Sequence, residues 1–109
     1  MTTITIFKSK EGTYQGFTCE GHAGYAKAGH DIVCAAISML TINTINSLEE
    51  IAGQVPDTKY HEATGYIDCK FPFELNDRSI TLMDSMVLGL ENIKQQYGKK
   101  HLNLIFEEV

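Results

Sequence analysis

The sequence predicts an α+β domain: a largely antiparallel five-stranded sheet with two helices packed on one face, in the order β-β-α-β-β-α-β. Three observations carry this expectation. Two long stretches repeat apolar residues at three- and four-residue steps, whereas several short ones alternate. Glycine-bearing turns join four of the short stretches into two hairpins. At 109 residues the chain suits one core, so residues 1–109 are read as a single domain. Elements that each bury one face are most simply satisfied by helices on one side of a sheet.

Thr2 to Lys8 is rich in Thr and Ile and reads as a strand, and Glu11-Gly12 turns it into a second strand from Thr13 to Gly21. By the two-residue period, Gln15, Phe17, Cys19 and Gly21 share one face, so Cys19 travels with Phe17 toward the core, while Tyr14 faces the other way. Residues 22–30, HAGYAKAGH, hold two glycines and three alanines without a period and read as a connection. From Asp31, a natural N-cap, Val33, Ile37, Leu40, Leu48 and Ile51 mark a helix that Gly53 and Pro56 end. A second hairpin follows, Thr58 to Glu62 and Tyr66 to Phe71, with Ile67, Cys69 and Phe71 aligned across a turn at Thr64-Gly65. Asn76 or Asp77 caps a helix running to about Tyr97, with the stripe Ile80, Met83, Val87, Leu90 and Ile93 and with Gly98 beyond it. His101 to Glu107 closes the chain as a strand that aligns Leu102, Leu104 and Phe106. The open sheet face is expected to carry Tyr14, Tyr66 and Ile105 and to offer a dimer contact.

Hydrophobic residues make up 43% of the chain and charged residues 21%, the balance of a folded globular protein. Nine Lys and Arg against 14 Asp and Glu leave a formal charge of −5, and Lys99-Lys100 is the one short basic pair. Direct phosphate-driven binding of nucleic acid is therefore not expected, whereas a basic partner is favoured. No segment reads as a signal peptide or approaches the apolar length of a membrane span, so a cytoplasmic protein is expected. Three cysteines, Cys19, Cys34 and Cys69, form an odd set that argues against a disulfide framework.

The chemistry concentrates between His22 and Ser38. With Asp31 as cap, Cys34 falls in the first helical turn, where unpaired backbone N–H groups and the helix dipole favour negative charge. A thiolate benefits there, as does the oxyanion of an acyl-transfer intermediate. His22, twelve positions upstream, supplies an imidazole, so a cysteine nucleophile with a histidine base is the reading. His30 is a rival base. Asp31 either caps the helix or orients His22 as the third member of a triad. Ser38 lies one turn after Cys34 on the same helix face and can support the thiolate or the substrate, although a helical serine more often bonds its own backbone. Gly24 and Gly29 are candidate hinges of a gating loop over residues 23–30.

Blander readings stand beside these. Buried cysteines behave as small hydrophobes, which is the reading for Cys19 and Cys69, and His61 and His101 read as surface residues. Cys19, His22, His30 and Cys34 approximate zinc-ligand spacing, so a zinc-binding module is one alternative to a peptidase. A redox-sensing, ribosome-associated protein without peptidase activity is another.

The segments GHAGYA, Gly21 to Ala26, and GHDIVCAAIS, Gly29 to Ser38, resemble the ribosomal-processing cysteine protease family, and the resemblance extends over the whole chain, including Ser47 to Glu49. It places the family's nucleophile on Cys34 and its base on His22. Asp31 and Ser38 match motif positions of less defined role. The resemblance implies a cysteine endopeptidase that removes a short N-terminal extension from a large-subunit ribosomal protein, acts as a homodimer, and uses no cofactor or metal.

Overall fold

A computed structural model describes residues 1–21, 32–61, 64–98 and 100–109. Its elements are β1 (Thr2–Lys8), β2 (Tyr14–Glu20), α1 (Ile32–Glu50), β3 (Asp57–His61), β4 (Tyr66–Lys70), α2 (Asp77–Tyr97) and β5 (Leu102–Glu108). The expected order holds, with strand and helix ends moved by a few residues. The strands form one sheet in the order β3-β4-β2-β1-β5. The β1–β2, β2–β4 and β3–β4 pairs are antiparallel, and β1–β5 is parallel. The parallel pair follows from topology, because a strand returning beside β1 after α2 arrives by a crossover rather than a hairpin.

Register fixes which residues face the helices. Ile4 and Ile6 lie opposite Cys19 and Phe17, which in turn lie opposite Ile67 and Cys69. All six are buried, together with Val33, Ile37, Ile45 and Leu48 of α1 and Met83, Met86 and Leu90 of α2. The helices approach closely where Gly89 meets Leu40: a Cβ added at Gly89 falls 2.7 Å from Leu40 Cδ2.

Hydrogen bonds of Gln54 and Asn76 tie the end of α1 to the start of α2. Asn76 caps α2 by accepting from Ser79 N at 2.9 Å, and its amide donates to Ala52 O at 3.0 Å. Gln54 Oε1 accepts from both Asn76 N and Ser79 Oγ, at 3.0 and 2.6 Å. α1 itself stops where Gly53 takes φ +71° and Gln54 N reaches back to Leu48 O at 2.9 Å.

Four expectations are corrected. Tyr14 is not on the open face. The β1–β2 register shifts between Phe7 and Lys8, so Tyr14 pairs with Lys8 and Gln15 is the extra residue of a bulge. That one-residue slip turns Tyr14 to the helix side, where it is 8% exposed. The α2 stripe is rotated: Ser79 and Met86 are buried while Ile80 is exposed. On α1, Ile51 is exposed, and Thr41 and Thr44 take core positions because their hydroxyls donate to Ile37 O and Leu40 O at 2.9 and 2.7 Å. Finally, α1 is long and apolar enough to cross a membrane by length and composition alone, although its Val33, Ile37, Ile45 and Leu48 stripe is buried in the core.

Candidate active site

β2 ends beside the chain's first residue. Gly21 leaves the strand at φ +82°, and a Cβ there would stand 2.9 Å from Met1 O, so this turn requires glycine. His22 follows Gly21 directly in sequence. The chain is described again at Ile32, the first residue of α1. His22, Gly24, Gly29, His30 and Asp31 lie outside the described residues, so the base, its rival, the cap and the hinges stand as expectations.

Cys34 is the third residue of α1, as the capping argument requires. That position lies in the first helical turn, where the helix dipole favours negative charge. The side chain is partly exposed, with its buried side packed against the core. It therefore belongs to the sheet-facing stripe of α1 yet keeps access to solvent, which a nucleophile needs and a structural cysteine does not. Ser38, one turn later, is exposed, so it sits outside the packed interface.

The other two thiols are core residues, as expected. Cys69 is fully buried, accepts a 3.8 Å hydrogen bond from Thr58 Oγ1, and is pushed up to about 12 chiefly by burial. Cys19, 5% exposed, is pushed up to about 11 by burial and secondarily by the charge of Cys34. It is the last inward residue of β2, three positions before His22 in sequence. Thr2 also faces inward at this end of the sheet, 2% exposed, with a hydroxyl that has no hydrogen-bond partner among the described residues.

Among the described residues no group of three or more His, Cys, Asp or Glu side chains is placed to hold a metal ion. Cys19, one of the four residues of the zinc alternative, is sealed between Ile4 and Ile67 in the sheet. A groove of about 650 Å³, lined by Lys8, Tyr14, Phe71, Phe73, Ile80 and Asp84, lies at the start of β2, the opposite end of the sheet from Cys34. Cys34 and that groove are separate features.

A cysteine in the first turn of a helix, half-open to solvent beside the strand that leads to a histidine, is an arrangement for thiol-based acyl transfer. Comparison with known proteins decides the family. A sequence profile described as "Cysteine protease Prp" matches residues 1–101. The chain belongs to the Prp family of cysteine proteases. The ribosomal processing cysteine protease Prp of Bacillus subtilis is 30% identical over 101 residues, covering 89% of this chain and 90% of the relative. The Prp of Staphylococcus aureus is 27% identical over 99 residues, covering 91% and 93%. A crystal structure of the S. aureus Prp in complex with a covalently linked product peptide superposes with a TM-score of 0.91 at 26% identity, covering 98% of this chain and all of that one. A second S. aureus Prp structure, with a substrate peptide, gives 0.83 at 25% identity over both whole chains. This Prp-family protein is thus a cysteine protease, and the expected hydrolase class and fold hold.

Proposed function

We propose that this Prp-family protein is a cytoplasmic endopeptidase that removes a short N-terminal extension from a large-subunit ribosomal protein, with Cys34 as nucleophile and His22 as base. The observation that carries the reading is the placement of Cys34 in the first turn of α1, partly open to solvent, at the sheet end where Gly21 hands the chain to His22. The relatives described as ribosomal processing proteases support the substrate. A formal charge of −5 favours encounter with a basic ribosomal protein.

In this mechanism His22 takes the thiol proton, and the Cys34 sulfur attacks the scissile carbonyl carbon. The carbonyl oxygen becomes an oxyanion, which the main-chain N–H groups of a helix's first turn and its dipole favour. His22 then protonates the leaving amine, the C–N bond breaks, and a water deprotonated by His22 releases the acyl group from sulfur. No metal or redox cofactor enters these steps.

The protein is proposed to act as a homodimer. Ile32, Met39 and Ile42 on α1 and Leu88 on α2 are 63, 71, 38 and 60% exposed, and spacings of seven and three residues align the three on α1. This apolar helical surface supports self-association more strongly than the open sheet face, which keeps Tyr66 and Ile105 but loses Tyr14.

The test is incubation of wild type, Cys34→Ala and His22→Ala with a ribosomal protein bearing its N-terminal extension, read by intact mass. Cleavage by wild type alone is expected. Cleavage by Cys34→Ala, or none by wild type, overturns the assignment.

A further inference from the structure

Cys19 is buried, yet it stands at the same end of the sheet–helix interface as Cys34. The last two inward positions of β2 are Phe17 and Cys19, and the first inward positions of α1 are Val33, Cys34 and Ile37. Within the sheet, Cys19 is flanked by Ile4 of β1 and Ile67 of β4. Hydrocarbon therefore closes it laterally, and the direction left to its sulfur is toward the helix layer. Cys34 packs against the buried cluster that contains Cys19. Gln54, just past the far end of α1, bonds Asn76 and Ser79 at the start of α2, and Tyr14 at the far end of β2 bonds Asp84 of α2, so the Cys34 end of α1 lies over the Cys19 end of β2; the charge of Cys34 adds to burial in pushing the Cys19 thiol up. Cys69 is arranged differently: it sits opposite Phe17 on the neighbouring strand, holds a hydrogen bond from Thr58, and is influenced by Asp68 and Asp57.

The two thiols have complementary access. Cys34 is partly exposed at a helix N-terminus, so it is the sulfur a dissolved oxidant meets first. Cys19 is secluded and protonated, so the same oxidant leaves it unconsumed. A catalytic thiol with a protected thiol beside it has a reversible exit from oxidation that an isolated one lacks.

We propose that Cys19 is the resolving thiol of Cys34. The inference rests on the reading of Cys34 as the reactive thiol. Hydrogen peroxide, the oxidant, is attacked by the Cys34 thiolate; an S–O bond forms, the O–O bond breaks, and hydroxide leaves. The Cys19 sulfur then attacks the sulfenic sulfur of Cys34, the S–O bond breaks, and the hydroxyl departs as water with the Cys19 proton. The two thiols lose two electrons in all and peroxide gains them. The product is a Cys19–Cys34 disulfide that a dithiol reductant opens again. Closing it requires the two Cα atoms within about 7 Å, so it draws the first turn of α1 onto the end of β2 and removes the nucleophile from the substrate. The buried thiol attacks slowly because little of it is thiolate, an effect that proximity offsets. The protease is silenced while peroxide persists and is preserved for later use.

The experiment compares wild type, Cys19→Ala, Cys19→Val and Cys69→Ala, each shown to be folded by circular dichroism. Samples are first labelled with iodoacetamide, then separately treated with peroxide, mapped by non-reducing peptide mass spectrometry, and assayed before and after dithiothreitol. In wild type and Cys69→Ala the expected product is a linked pair of peptides containing Cys19 and Cys34, with most activity recovered on reduction. In Cys19→Ala and Cys19→Val, Cys34 is expected to reach the sulfinic acid, and recovery to fall by about fivefold or more. Equal recovery in all four proteins, a link from Cys34 to Cys69, or sulfinic Cys34 at the same rate in wild type overturns the inference. Absence of preferential iodoacetamide labelling at Cys34 instead overturns the underlying reading of the reactive thiol, so the two failures are distinguishable.

Discussion

The phenol of Tyr14 donates a 2.5 Å hydrogen bond to Asp84 Oδ1, tying the first residue of β2 to the middle of α2. Lys8 Nζ lies over the same ring, 4.7 Å from its centroid. The contact exists because the bulge at Gln15 turns Tyr14 toward the helices. It sits at the end of the sheet remote from Cys34. Tyr14→Phe is therefore expected to cost about 0.5–1.5 kcal/mol of stability, measured by urea unfolding, and to leave peptide cleavage within about twofold of wild type.

Stability is expected to fall as pH rises above 9. Cys19 and Cys69 are raised from 9.0 to about 11 and about 12, and Tyr14 is raised from 10.0, each chiefly by burial. Above pH 9 the unfolded chain loses these thiol protons while the folded protein keeps them, so the unfolded state binds fewer protons and gains in relative stability. The contribution is fully present below pH 9 and is lost for Cys19 as pH passes through about 11. Tyr14 adds the same sign above pH 10. Thermal melts from pH 7 to 11 check this, and Cys69→Ala should flatten the decline.

Gly16 occupies the bulge at φ +155°, and a Cβ there would lie 2.5 Å from Cys69 O and 3.1 Å from Lys70 Cα. Both are backbone atoms and cannot rotate away. Gly16→Ala should destabilise by roughly 1–3 kcal/mol by prising β2 from β4, a loss that calorimetry would detect.

Gly21→Ala is expected to act on turnover as well as folding. A Cβ at this position meets Met1 O at 2.9 Å with φ +82°, so the turn that delivers the chain to His22 must shift. A fall in kcat of about tenfold or more, larger than the stability loss alone produces at a temperature where the variant is folded, is the expected result of a peptide-cleavage assay. Unchanged kcat would show that His22 is positioned independently of this turn.

Ser38→Ala should leave kcat within about threefold of wild type, because an exposed helical serine has water and its own backbone as partners. Steady-state kinetics on the extended substrate measure it. A loss near a hundredfold would instead assign Ser38 a contact to the reacting groups.

Periodicity and turn chemistry made the element order, the hairpins and the α2 cap legible before any coordinates. The family motifs singled out Cys34, and the structure places it third in α1. What the sequence hid has specific causes. The slip at Gln15 reverses Tyr14, and a bulge leaves no local mark in a stretch whose alternation is otherwise regular. Thr41 and Thr44 look polar but satisfy their hydroxyls within α1, so they can occupy core positions that a hydrophobic pattern assigns to Leu and Ile. Ser79 takes a core position on α2 that the apolar stripe assigned to Ile80, its hydroxyl satisfied by Gln54 Oε1. That Cys19 and Cys34 share one core is a tertiary matter, since the two belong to different layers.

β1 is held on one side by β2 and on the other by β5. Its outer edge has no hydrogen-bonding partner until β5 docks. The sheet therefore closes only when residues 102–108 reach residues 2–8, and assembly of the fold waits on its most distant pairing. Trimming even Leu104 to Val109 should strip β1 of its parallel neighbour and leave an adhesive edge, trading an enzyme for an aggregating chain.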